Sequence, residues 1–97
     1  MNTEEAIAYL NQTLYKKYGY LSAATDVSKA MAIAESLFEF QLTKSNDGMF
    51  CATVKEGPGL PKPIVWARKP ALAISLAIYE SIRARIDDMP DLKKVLY

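Results

Sequence analysis

The first helical pattern covers the start of the chain. Its apolar residues recur at steps of three and four, as on one face of a helix: Ile7, Leu10, Leu14 and Tyr18. Thr3 is a candidate N-cap ahead of two acidic residues, and Gly19 can adopt the left-handed conformation that ends a helix. These signals predict a helix over 3–18.

A second helical pattern begins after Thr25 and Asp26, which form a capping pair. Apolar residues then make one continuous stripe: Val27, Ala30, Met31, Ala34 and Leu37. Because two members of this stripe are alanines, we expect the helix to lie close against a flat neighbour.

The apolar period changes from helical to two at Phe38, which predicts a strand over 38–43. The turn residues of 45–48, Ser-Asn-Asp-Gly, then predict a hairpin into a second strand, Met49 to Lys55. Both faces of the second strand are apolar. We therefore expect either helices on both faces of the sheet or a partner chain on one of them.

The second half of the chain begins with Glu56 to Pro63, a loop that contains three prolines and two glycines. A third short strand is predicted over 64–67. The longest helix then begins at Pro70 and runs to about Ile86, apolar nearly all round, which predicts burial against more than one surface.

A short helix, started by Asp88 and Pro90, is predicted at the end of the chain, and its apolar residues must dock somewhere. The element order is therefore α-α-β-β-β-α plus a short C-terminal helix. It predicts one α+β domain over residues 1–97. We expect a small antiparallel three-stranded sheet covered by helices, in a three-layer, sandwich-like arrangement.

Composition removes most familiar active-site chemistry. The 97 residues carry a formal charge of +1 and include no His and a single Cys, Cys51. We therefore expect no enzyme and no cofactor, since catalysis would depend on Tyr, Lys and carboxylates alone. The start of the chain has no secretory signal, and the longest apolar stretch, Ala71–Tyr79, is too short to span a bilayer. The sequence predicts a cytoplasmic protein without a membrane partner.

One local excess of positive charge brackets the Gly/Pro loop and the start of the long helix. Its candidate anion-binding residues are Lys62, Arg68 and Lys69. Together with the backbone amides at the helix start, they would suit a phosphate or a carboxylate. Solvated surface charge around a loop is the alternative interpretation.

Tyrosines are concentrated on and after the first helix, and exposed tyrosines are favoured at protein interfaces. Together with the apolar tail, they give the candidate interface residues: Tyr9, Tyr15, Tyr20, Val95, Leu96 and Tyr97. A role in the core is equally compatible with the pattern. Cys51 is interpreted as a small structural residue, and Asp87, Asp88 and Asp91 as helix-stop and capping residues rather than a metal site.

Several segments resemble the phage ABA sandwich domain family: Thr25-Asp26-Val27 with Ala30, an aromatic residue ahead of Cys51, and the Pro-preceded helix Ala71 to Ala77. The resemblance implies a small phage or prophage accessory protein with helix, sheet and helix layers. It transfers no biochemical activity to any residue. The chain departs from the family pattern at Ala24, where the family has Ser, and at Phe50, which directly adjoins the cysteine.

The leading functional hypothesis is a noncatalytic accessory protein that binds a host or phage protein and forms a homo-oligomer. The alternative is a counter-defence protein that binds a small anionic ligand, such as a nucleotide signal, through its basic segment. The order helix, three strands, helix is also that of double-stranded RNA-binding domains, which makes RNA binding a lesser alternative. Only Arg68 and Lys69 stand where those domains place a basic cluster.

Overall fold

The computed structural model describes residues 1–86 and 88–96 of the chain. Its elements follow in the predicted order: α1 (Thr3–Tyr18), α2 (Val27–Glu35), β1 (Glu39–Lys44), β2 (Phe50–Lys55), β3 (Ile64–Ala67), α3 (Pro70–Arg83) and α4 (Lys93–Leu96). The α+β fold class with helices on a three-stranded antiparallel sheet is therefore confirmed.

Local capping chemistry defines where the first two helices begin. Asn2, rather than Thr3, caps α1: its side chain accepts a hydrogen bond from the amide of Glu5 at 2.9 Å, and the Glu5 side chain accepts one from the amide of Asn2 at 3.0 Å. Asp26 caps α2 as predicted, by accepting from the amides of Ser28 and Lys29. Gly19 ends α1 with a φ of 81°.

The sheet has the order β1-β2-β3, with both strand pairs antiparallel. Its register places Leu42, Ala52 and Val65 in one row across the three strands. Ala52, Val54 and Val65 are completely buried, so this row belongs to the inward face of the sheet.

Helix α3 is the centre of the packing. It lies across β2 and β3, beside α2 and beneath α1, and every residue from Ala73 to Ile82 is buried. This confirms that a helix apolar nearly all round is buried against more than one surface. It ends at Arg83, before the predicted Ile86.

The helices cover only one face of the sheet. Because α2 and α3 contact each other as well as the strands, both lie on the same side, and α1 and α4 pack further out. The layer order is thus sheet, then α2 and α3, then α1. Of the two alternatives, a partner chain on one face stays a prediction, and the expectation of helices on both faces of the sheet is wrong. The physical reason is that α1 buries Leu10 and Leu14 within the helical layers rather than on the sheet.

The C-terminal helix α4 is short and begins at Lys93, where Asp91 accepts a hydrogen bond from the Lys93 amide at 3.1 Å. The predicted start at Asp88 and Pro90 is therefore displaced by a few residues. Within residues 1–86 and 88–96, no helix combines the length and apolar character needed to cross a bilayer.

Candidate functional site

The face of the sheet opposite the helices is open, and we call it the outer face. It is formed by the alternate residues of the three strands: Glu39, Gln41, Thr43, Cys51, Thr53, Lys55, Ile64 and Trp66. The register sets Trp66 beside Cys51 and Ile64 beside Thr53. Ile64 is 61% exposed and Trp66 is 42% exposed, so β3 presents two large apolar side chains to the surroundings.

One end of the outer face is charged. The Lys62 ammonium lies 2.8 Å from Oε2 of Glu39, and the hydrogen bond and charge of Lys62 lower the pKa of Glu39 below its ordinary value. Lys55 lies over the ring of Phe38, with its Nζ 5.8 Å from the ring centroid. Acidic and basic groups therefore share this end of the face.

A second feature, which we call the basic cleft, lies at the opposite end of β3. It has a volume of about 540 Å³, and its lining residues are Met49, Trp66, Ala67, Arg68, Lys69, Leu72 and Leu96. The cleft is thus mostly apolar, with two cationic side chains. Among the residues that the structure describes, Arg68 and Lys69 form no salt bridge.

The three candidate anion-binding residues do not come together. Arg68 and Lys69 line the basic cleft, whereas Lys62 precedes β3 and is paired with Glu39. A four-residue antiparallel strand separates the two positions, which is a distance of roughly 13 Å along the sheet. Lys62 is therefore part of the charged end of the outer face.

The candidate interface tyrosines divide into two groups. Tyr9 is partly buried, and its ring meets the ring of Tyr79 edge to face, with the centroids 6.1 Å apart. Tyr15 and Tyr20 are exposed by 48% and 40%. Tyr9 thus serves the core, and the other two remain available to a partner.

The apolar tail docks on the chain's own core. Leu92 is completely buried, and Val95 and Leu96 pack partly buried against the same core. The hydroxyl of Tyr79 donates a hydrogen bond to the carbonyl of Pro90 at 2.7 Å, which holds the segment that leads into α4. Tyr97, the last candidate interface residue, lies outside the described residues, as does Asp87.

A polar cluster around Glu56 was not foreseen from the sequence. Its carboxylate, only 8% exposed, accepts hydrogen bonds from Tyr18, Arg85 and, at 3.1 Å, Ser81, and it lies 3.0 Å from the ammonium of Lys17. These partners come from α1, α3 and the residues just after α3. No local pattern could reveal them, because the cluster joins residues 17 and 18 to residues 81 and 85 through residue 56.

The electrostatics of Glu56 are those of a structural anion. Burial by itself would raise the pKa of Glu56, but the hydrogen bonds from Tyr18 and Lys17 and the charges of Lys17 and Arg85 outweigh it and lower the pKa. The carboxylate therefore stays ionised and fully engaged. A general base needs the opposite, a pKa near neutrality and access to substrate.

Cys51 lies on the outer face, between Thr43 and Trp66 in the strand register, and is partly buried. The sequence context had suggested a buried structural cysteine, and the Cys51 side chain is more exposed than that. Across the described part of the chain, no three acidic, Cys or His side chains come close enough to share a metal ion.

Comparisons of the chain with protein-family models, with curated proteins and with solved structures find no match. The function must therefore be inferred from the surfaces of the molecule.

Proposed function

We propose that this chain is a noncatalytic phage or prophage accessory protein that acts by binding protein through the outer face of its sheet. Its first partner is a second copy of the same chain. The observation that carries the proposal is the exposure of Ile64 and Trp66, at 61% and 42%, on a sheet face that no helix within residues 1–86 and 88–96 covers. The resemblance to the phage ABA sandwich domain supports the proposed origin.

The chemistry of the outer face is that of a protein interface. Tryptophan is enriched among the residues that dominate binding energies, and Ile64 adds apolar area beside it on β3. Two sheets can stack face to face about 10 Å apart, with their side chains interdigitated. Gln41 and Thr43 on β1 add exposed polar groups on the same face, on the side of β2 away from the apolar pair.

Charge favours a second copy as the partner. A two-fold interface brings the same surface of each chain together, so it must be self-complementary. The outer face carries both an acid, Glu39, and lysines, Lys55 and Lys62. A two-fold arrangement can therefore set the acid of one copy against a lysine of the other.

The monomer is complete without its partner, which makes the association dependent on concentration. Its accessible surface is 5530 Å². A folded monomer of 10.8 kDa is expected to expose about 5,500 Å². We therefore expect a reversible dimer rather than an obligate one.

Sedimentation velocity over a wide range of protein concentration tests the proposal. The wild-type chain should pass from monomer to dimer, and Ile64→Lys should shift this transition to at least tenfold higher concentration, because it places a charge in the apolar centre of the face. The matched control is Tyr15→Lys, which makes the same type of change at an exposed position of α1. It should leave the transition unchanged.

Cys51 provides a second measurement, because it is the only cysteine and lies on the outer face. Its alkylation should slow at concentrations where the dimer forms, and the Ile64→Lys variant should abolish that slowing. A chain that stays monomeric at high micromolar concentration contradicts self-association. A dimer that Tyr15→Lys disrupts and Ile64→Lys does not would assign the interface to α1 instead.

A further inference from the structure

We infer that the basic cleft binds a small aromatic anion of the nucleoside phosphate class. The cleft is separate from the charged end of the outer face, and its volume of about 540 Å³ falls within the usual range for small-molecule sites, roughly 300–1,000 Å³. Its lining divides into an apolar part and a cationic part. A ligand that fits both needs an apolar or aromatic body joined to an anionic group.

The cationic part suits a phosphate. Arg68 and Lys69 are consecutive and exposed, and both line the cleft. A guanidinium can bind two phosphate oxygens with parallel hydrogen bonds, and an ammonium adds a point charge. Asp47 interacts electrostatically with Arg68: its pKa is lowered by the hydrogen bond from Ser45 and, to a smaller extent, by the charge of Arg68. Its carboxylate is already engaged by the Ser45 hydroxyl and, at 3.3 Å, by the Met49 amide.

The start of α3 adds backbone donors beside these cations. Lys69 is the N-cap of α3, its side chain makes no capping hydrogen bond, and Pro70 follows at the first helical position. The first-turn amides of Ala71 and Leu72 therefore have no acceptor within the helix, and Leu72 lines the cleft. The positive end of the dipole of this 14-residue helix favours an anion at the same place.

The apolar part suits a flat ring. Trp66 forms one wall of the cleft, and Met49, Leu72 and Leu96 contribute aliphatic surface. Stacking of a nucleobase on an aromatic side chain contributes about 1–3 kcal/mol and does not depend on the identity of the base. Trp66 is separated from Arg68 and Lys69 by Ala67 alone, which places a ring partner and phosphate partners within one short segment.

Trp66 also makes the test direct, because it is the only tryptophan of the chain. Adenosine monophosphate should change its fluorescence in a saturable manner and raise the melting temperature of the protein. Adenosine and inorganic phosphate, each of which offers one half of the ligand, should bind at least tenfold more weakly than the nucleotide. Dodecanoate serves as an anion with an aliphatic body.

The Arg68→Ala/Lys69→Ala double variant should weaken the binding of adenosine monophosphate at least tenfold. Its matched control, Lys16→Ala/Lys94→Ala, removes the same net charge from exposed positions that do not line the cleft and should change the affinity less than twofold. Circular dichroism and melting of the unliganded variants check that both fold.

Three outcomes would overturn the inference. The first is no saturable response to adenosine monophosphate at millimolar concentration. The second is an equal loss of affinity in both double variants, which would show general attraction to a cationic surface. The third is binding of dodecanoate without binding of the nucleotide, which would assign the cleft to aliphatic anions. Trp66 belongs to both the outer face and the basic cleft, so the titrations are made at concentrations where the chain is monomeric. Ile64→Lys lies outside the cleft and should retain nucleotide binding while it weakens self-association, which distinguishes the two proposals.

Discussion

The hydroxyl of Tyr18, the last residue of α1, donates a hydrogen bond to Oε2 of Glu56, the residue that follows β2. Burial of Tyr18 and its bond to Glu56 raise the pKa of Tyr18, so the phenol remains a donor at every pH of interest. The other oxygen of Glu56 accepts from Ser81 and Arg85. One carboxylate therefore ties α1 to the sheet and to the end of α3.

Replacement of Glu56 by Gln should destabilise the fold by about 1–3 kcal/mol, because an amide cannot accept from all of these donors and leaves polar groups unsatisfied. Urea unfolding measures the change. Glu35→Gln is the matched control at an exposed position at the end of α2, and we expect it to alter stability by less than about 0.5 kcal/mol. If the two variants are equally stable, the Glu56 cluster does not hold the layers together.

The same carboxylate should make stability depend on pH in the acid range. The pKa of Glu56 is lowered in the folded protein, where hydrogen bonds from Tyr18 and Lys17 and the nearby cations outweigh burial, relative to about 4.3 in an unfolded chain. Its contribution is therefore complete above about pH 5 and is lost as the pH falls through the lowered value. The difference in unfolding free energy between wild type and Glu56→Gln should shrink over that range. A difference that is constant from neutral to acid pH would contradict the lowered pKa.

The sequence predicted the elements well because their signals act over a few residues. Asp26 begins α2 through amides two and three positions later, and Pro70 begins α3 through its own fixed backbone angle. The alternation in β2 required only a period of two to predict which side chains share a face. Such features need no knowledge of what the element contacts.

The layer order could not be predicted in the same way. The apolar outer side of β2 indicated that something covers it, but the pattern of one strand does not show whether the cover is α1 or another chain. The hypothesis that Lys62, Arg68 and Lys69 form one site was wrong for a similar reason. Sequence proximity placed these residues around one loop, whereas β3 runs between them and separates Lys62 from the other two.

Tyr79→Phe should loosen the C-terminal segment. The variant keeps the completely buried ring and its contact with Tyr9 but removes the hydrogen bond to the carbonyl of Pro90. We expect a loss of stability of about 1 kcal/mol and faster hydrogen exchange at the amides of Val95 and Leu96, which bond to the carbonyl of Leu92. Tyr15→Phe, at an exposed position, is the control and should change neither. Unchanged exchange in Tyr79→Phe would show that apolar packing alone holds α4.

The hairpin turn provides a test of backbone strain without a steric clash. Gly48 has a φ of 86°, and a Cβ added there would meet nothing within 4 Å, so Gly48→Ala should cost about 1–2 kcal/mol from its left-handed conformation alone. Gly57 is the matched control, because its φ lies outside that region and its added Cβ would come 3.3 Å from the flexible end of Leu60. We expect Gly57→Ala to cost less than Gly48→Ala in urea unfolding, since the Leu60 side chain can move by a few tenths of an ångström. If Gly57→Ala costs more stability than Gly48→Ala, crowding by Leu60 in the Gly/Pro loop matters more than the left-handed backbone of Gly48 in the turn.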